Sequence, residues 1–158
     1  ESHFHIISNK GNNGADGLVI ARNLIQNNYK VRVSVIQFSD NESSEFKTNF
    51  KRLDSQYISY IFSEKKLIIK KGEIIIDAIF GCGLNKEVKG KFSKLINYIN
   101  QSHSKIISID MPSGLFPDEN RKNNGSIIQS DTTYTFQCMK YSLLLPSYSK
   151  YYGNVKII

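Results

Sequence analysis

The chain has 158 residues, the length of one domain able to bury a sizeable core. No run of about 18 apolar residues and no signal-peptide pattern occurs, so nothing in the sequence points to a membrane span or to secretion. The net charge of +7 invites an anionic partner, but 17 of the 21 basic residues are Lys and only 4 are Arg, scattered among Ile and Asn, whereas phosphate or base readout favours clustered Arg; nucleic acid is therefore not the expected partner.

The first apolar run, His3 to Ser8, reads as a strand. His3 and His5 share one of its faces and, with no carboxylate or thiol beside them, read as exposed or packing residues rather than metal ligands. Gly11-Asn12-Asn13-Gly14-Ala15-Asp16-Gly17 follows, with a helix expected over Ala15 to Asn27. Three glycines in seven residues permit positive φ and close approach of a ligand to the backbone. A helix capped there by Asn12 or Asn13 leaves its first N–H groups free to meet a phosphate. Asp16 would repel a phosphate, so it is read as capping the helix, orienting a hydroxyl or lying near a cation. Lys30 to Phe38 reads as a strand and Glu42 to Leu53 as a polar surface helix; either Ile58 to Phe62 or Leu67 to Ile69 supplies a third strand. The lysines at 65–66 and 70–71 read as a solvated strand edge rather than a nucleic-acid patch.

Glu73 to Phe80 is nearly continuously apolar, as a strand buried on both faces requires. In Lys91 to Asn100, Phe92, Leu95, Ile96 and Ile99 fall at helical spacing. Lys105 to Ile109 is the next strand, followed by a polar loop from Pro112 to Gln129 that is too long for a plain connection. Asp131 to Phe136 and Asn154 to Ile158 read as closing strands. The alternation of strands and helices predicts an α/β fold, a Rossmann-like three-layer sandwich with a mostly parallel, doubly wound sheet. Cys82 and Cys138 are isolated, which argues against a zinc site or disulfide framework and fits a reducing, cytoplasmic setting.

In such a sheet, ligands bind beyond the carboxyl ends of the strands, near the switch in strand order. Three segments meet that rule: Gly11 to Gly17, Asp77 to Leu84, and Ile109-Asp110-Met111-Pro112-Ser113-Gly114. Asp77 interrupts a buried apolar run and needs a partner, either a cation or backbone N–H groups of a neighbouring loop. With Asn13 and Ser113 it offers an amide oxygen, a carboxylate and a hydroxyl, a hard set suited to an alkali or alkaline-earth ion. Asp110, at a strand end, is placed either to exchange a proton with a ligand or to cap a turn. Ser113 has no paired His in a recognisable motif, which argues against a hydrolase triad.

These three elements, read as GNNGADGLVxAR, DAIFGCGL and IDMPSG, resemble the YjeF N-terminal domain family of NAD(P)H-hydrate epimerases, and the order, spacing and closing segment (Asp131-Thr132, Lys140, Gly153-Asn154-Val155) are similar too. The resemblance covers nearly the whole chain, 1–158. It implies an isomerase of metabolite repair that interconverts the R and S forms of hydrated NADH and NADPH, the NAD(P)HX substrate. By the same carry-over Asp110 shuttles the proton, with Lys86 a second catalytic candidate. Asn13, Asp77 and Ser113 bind one K+ per subunit. Asn12, Asn13, Gly14, Ala15, Asp16, Gly81, Cys82, Gly83, Leu84, Asn85, Lys86, Glu87 and Asp110 contact the dinucleotide.

The family's partners follow as expectations: a homodimer in the full-length protein and an ADP- or ATP-dependent dehydratase, separate or fused. The alternative is a non-catalytic RNA- or protein-binding module of the same fold. Retention of Asn13, Asp77, Asp110 and Ser113 together argues against it. Ala15 and Asn9 stand where the family usually has Gly, and the chain is expected to lack the family's usual N-terminal helices because it opens on the first sheet strand.

Overall fold

A computed structural model describes residues 2–158. Seven strands, β1 (His3–Ser8), β2 (Lys30–Ile36), β3 (Ile58–Ile61), β4 (Glu73–Ala78), β5 (Lys105–Ile109), β6 (Thr132–Thr135) and β7 (Asn154–Ile157), form one sheet in the order β3-β2-β1-β4-β5-β6-β7. Every pairing is parallel, so the sheet goes beyond the mostly parallel expectation. The chain winds outward from β1 to β3, returns to lay β4 against the other side of β1, and then winds the opposite way. The switch in strand order therefore falls between β1 and β4, where Ile7 sits opposite Asp77 and Ser8 opposite Ala78.

Alternation along each strand sends neighbouring residues to opposite faces. Ile7, Ile36, Ile75 and Ile106 meet Leu95, Ile96 and Ile99 from helix α3 (Gly90–Asn100) on one face. Ile6, Val33, Val35, Ile76 and Ile109 meet Leu18 and Ala21 of α1 (Asn12–Gln26) and Phe46 of α2 (Ser44–Phe50) on the other. These are the three layers of the expected sandwich. A third apolar cluster, Met111, Leu115, Ile127, Leu143 and Tyr152, lies under the long polar loop and against the short helix α4 (Ser149–Tyr152). The polar loop is closed by its own side chains: Asn120 accepts from the Phe116 N–H and donates to the Phe116 carbonyl, and the Asn123 amide donates to the Gly114 carbonyl.

Several boundaries differ from the sequence reading. Helix α1 starts at Asn12 rather than Ala15, with extended Gly11 in the cap position and no side-chain cap, so neither Asn12 nor Asn13 is the capping residue. The polar surface helix shrinks to Ser44–Phe50 because Ser43 caps it, its Oγ accepting from the Phe46 N–H at 3.0 Å. Ile58–Ile61 is the third strand; Leu67–Ile69 is not one, and the flanking lysines lie on a 3-10 turn and coil rather than on a strand edge.

His3 is exposed, whereas His5 is fully buried, its Nε2 2.8 Å from Ser34 Oγ. Burial, reinforced by the Arg32 charge against the opposing pull of Glu73, pushes the His5 imidazole down to about 3, so it packs as a neutral ring. Beside it, Arg32 pairs with Glu73, which is itself nearly buried, and holds it below the usual carboxylate range although burial pulls the other way. No helix among the described residues is long and apolar enough to cross a membrane.

Candidate functional site

The carboxyl ends of β1, β4 and β5 open into a cleft of about 550 Å³ lined by Asn9, Gly11, Asn12, Asn13, Asp16, residues 79–84, Asp110 and Phe136. A second cleft of about 600 Å³ lies at the amino ends of β4 and β5, among Lys70, Gly72, Tyr98 and His103. We place the site in the first because it sits at the topological switch and gathers both carboxylates and the helix N-terminus.

The helix wall is built by close approach. Gly11, Gly14 and Gly17 all lack a positive φ, contrary to the sequence reading of conformational freedom. Instead a Cβ on Gly14 would fall 1.7 Å from the Asn9 carbonyl oxygen, and one on Gly17 2.5 Å from Ala78 Cβ. Hydrogen at these positions lets α1 lie against the ends of β1 and β4, with Gly11, Asn12 and Asn13 at its start lining the cleft and no acidic residue in its first turn. Ala15 is helical and buried, so the methyl that replaces the family's usual glycine costs nothing.

Asp77 is completely buried at the floor. One of its oxygens accepts from Ser108 Oγ at 2.8 Å and the Ser113 N–H at 2.9 Å, the other from Ser113 Oγ at 2.5 Å and the Ile79 N–H at 3.3 Å. Of the two partners left open for it, a cation or backbone N–H groups, the structure shows two backbone N–H groups joined by two serine hydroxyls. Burial still pushes its carboxyl above the usual range, the Ser113 and Ser108 bonds offsetting only part of that, since no basic side chain pairs with it. Ser113 Oγ also accepts from the Phe80 N–H. Asn13, which lines the cleft beside Gly81, is 9% exposed, and neither its amide oxygen nor its nitrogen has a hydrogen-bond partner.

Asp110 ends β5 in the left-handed region, at φ 67°, unusual for a residue with a side chain. Its N–H donates to the Tyr134 carbonyl at 2.7 Å, which fixes the turn. Its carboxylate meets the Cys82 N–H through Oδ2 at 2.8 Å and the Lys140 ammonium through Oδ1 at 2.9 Å. Burial would raise this carboxyl, but Lys140 and the Cys82 groups together hold it below the usual range. The Cys82 thiol moves the other way, raised first by its hydrogen bond to Asp110. A Cβ on Gly81 would fall 3.0 Å from Asp110 Oδ2, a tight contact, and 3.4 Å from Asn13, so glycine here leaves the carboxylate unhindered. Asp16 is only partly buried; burial first, and then the Asp110 charge, raise its carboxyl.

Of the residues expected at the site, Asn12, Asn13, Asp16, Gly81, Cys82, Gly83, Leu84 and Asp110 line one cleft, with Asp77 and Ser113 buried beneath it. Gly14 and Ala15 support the helix wall from inside. Asn85, Lys86 and Glu87 lie beyond the lining: Asn85 and Lys86 are exposed, and Glu87 accepts from the Asn124 N–H at 2.9 Å, tying its loop to the polar loop. The lysine at the site is Lys140, which sequence reasoning placed only in the closing segment. Phe136 and Asn9 are further lining residues it did not assign.

A doubly wound parallel sheet with a glycine-packed helix N-terminus and a paired carboxylate at its switch point defines a Rossmann-like α/β protein with a cleft at the carboxyl ends of its strands. Comparison narrows the class: the model for the family described as YjeF-related protein N-terminus matches residues 1–142, and the chain belongs to that family. It is 38% identical over 154 residues to an NAD(P)H-hydrate epimerase of Anaerococcus prevotii, covering 93% of this chain and 70% of the relative. It is 33% identical over 150 residues to the enzyme of the same name from Limosilactobacillus fermentum, covering 95% of this chain and 71% of that one. The crystal structure of yeast ynu0 superposes with a TM-score of 0.70 at 25% identity over 88% of this chain; the chain spans 59% of the yeast chain.

Proposed function

We propose that this protein epimerises hydrated NADH and NADPH, interconverting the R and S forms at the hydroxyl-bearing ring carbon. Family membership and the relatives named NAD(P)H-hydrate epimerase support the reaction. The observation in the cleft that carries it is Asp110, an ionised, doubly held carboxylate at the floor of a site whose helix N-terminus suits a dinucleotide's phosphates. The ring nitrogen expels the hydroxyl, which leaves with a proton as water. The iminium ion that remains is stabilised by the Asp110 carboxylate, and water adding to the opposite face gives up a proton. Asp110, kept below the usual range, is the natural acceptor. Asp16, whose carboxyl burial raises, is the second carboxyl lining the cleft.

A potassium ion belongs to the same proposal. Asn13 offers an amide oxygen with no other partner, and the buried Asp77 carboxylate lacks a cationic partner, so the oxygen set of Asn13, Asp77 and Ser113 fits a hard monovalent ion. Such an ion would offset the Asp77 charge and brace the floor. A partner dehydratase, a homodimer and a cytoplasmic setting, expected from the family resemblance and the cysteines, are also part of this reading. The non-catalytic binding module is not favoured, because the lysines do not converge on the cleft and its carboxylates would repel nucleic acid. The test is to add the purified protein to one separated hydrate epimer and follow the other by chromatography. Acceleration over the uncatalysed exchange is expected, and RNA binding without acceleration would replace this reading with the module.

A further inference from the structure

Among the described residues Lys140 is the one basic side chain that meets Asp110, and its surroundings limit what it can do. It follows β6, and only 14% of its side chain is exposed. Three oxygens surround the ammonium: Asp110 Oδ1 at 2.9 Å, Thr135 Oγ1 at 3.0 Å and the Phe136 carbonyl at 2.8 Å. The Thr135 and Phe136 contacts are hydrogen bonds that take two of its three N–H groups, and the Asp110 contact is an ion pair. Lys140 does not line the cleft. Its charge is spent on the carboxylate.

We infer that Lys140 is the positioning residue of this site: clamped to the end of β6, it holds the Asp110 carboxylate ionised and aimed into the cleft without touching the substrate. Two donors from different elements, Lys140 after β6 and the Cys82 N–H after β4, occupy one oxygen each of a side chain carried on a left-handed backbone. The carboxylate plane is thereby fixed, and the remaining lone pairs are free for water. The charged and titratable groups that act on Asp110 are few: Lys140, the Cys82 thiol, and Asp16 from α1, which couples to it through its charge. Only Lys140 favours the ionised form by its charge. Lys140 stands 30 residues along from Asp110 and is brought to it because β5 and β6 are neighbours.

This inference rests on the epimerase reading for its kinetic arm alone. Lys140→Met keeps most of the apolar stem and removes the charge. The expected result is a fall in kcat of about 10- to 100-fold with KM within about twofold of wild type. In 13C NMR, the Asp110 carboxyl should titrate about 1–3 pH units higher than in wild type. Unchanged kcat, or a loss confined to KM, would overturn the inference, as would an unmoved titration. If wild type itself fails to exchange the epimers, the epimerase reading falls, and the NMR comparison still decides what Lys140 does. Should Lys140→Met not fold, Thr135→Val removes one of the three oxygens that fix the ammonium at nearly constant volume. A drop in kcat of several-fold at constant KM is then expected, and wild-type kcat would overturn the inference.

Discussion

Gly17→Ala tests whether the glycines of the first helix are there for contact rather than for backbone freedom. The residue is helical without a positive φ, so on backbone grounds alanine should stabilise α1 by about 0.5–1 kcal/mol. The packing says otherwise. The new Cβ would stand 2.5 Å from Ala78 Cβ and 3.2 Å from Ile6 Cγ2. Carbon atoms pack at about 3.5 Å or more, so the contact with Ala78 is about 1 Å too short. Ala78 and Ile6 are themselves fully buried, in the central strands β4 and β1, and neither has a flexible end that could yield. The helix must lift instead, at a cost of about 1–3 kcal/mol for overpacking. After the propensity gain the net loss is about 0.5–2 kcal/mol, and the melting temperature should fall by about 1–8 °C for a domain of this size. Thermal and urea unfolding followed by circular dichroism measure it. Because the same lift displaces Asn13 and Asp16 from the cleft wall, KM for the hydrate should rise as well. A variant as stable as wild type, or more so, would refute the close-packing argument.

Ala15→Gly restores the glycine usual in the family, but at a buried helical position it should cost about 0.5–1 kcal/mol in urea unfolding and leave the exchange rate near wild type. Melting in potassium chloride should exceed melting in tetramethylammonium chloride at equal ionic strength, and Asn13→Ala should remove most of that difference by deleting the unpartnered amide. Stability should fall as pH drops below neutral. His5, held at about 3 against an ordinary value of 6.5, binds no proton in the folded state while the unfolded chain does, so stability is lost by about 1 kcal/mol per pH unit between those values. His5→Gln should flatten that part of the pH–stability curve. Asp110 and Glu73, both held low, add to the loss only below the ordinary carboxylate range, through the same sign of proton uptake by the unfolded chain.

The central strands were legible because strands buried on both faces read as apolar runs, and Ile6, Ile7, Ile75 and Ile76 leave no ambiguity. α3 was legible from Leu95, Ile96 and Ile99 at helical spacing. The third strand was not, since Leu67 is buried through a 3-10 turn and a short apolar run carries no periodicity to tell the two apart. The glycine-rich segment was correctly located, but no positive φ is used there: Gly14 and Gly17 meet residues 6, 8, 9 and 78, contacts that exist only once the sheet has formed, while Gly11 lines the open cleft. Asp77 and Asp110 could be singled out because a carboxylate at the end of an apolar strand needs a partner. Their actual partners, Ser108 and Ser113 for one, Lys140 and Cys82 for the other, depend on which strands become neighbours. Lys140 gave no local signal, because its meaning comes from the pairing of β5 with β6.

The account turns on one carboxylate in one cleft. A single hydrate epimer, purified and incubated with wild-type protein and with Asp110→Asn, isolates it, since the amide keeps the shape and loses the proton-accepting charge. The expected outcome is rapid appearance of the other epimer with wild type and a rate about 10²–10⁴-fold lower with the folded variant. An Asp110→Asn protein that is folded and exchanges the epimers at the wild-type rate would contradict it.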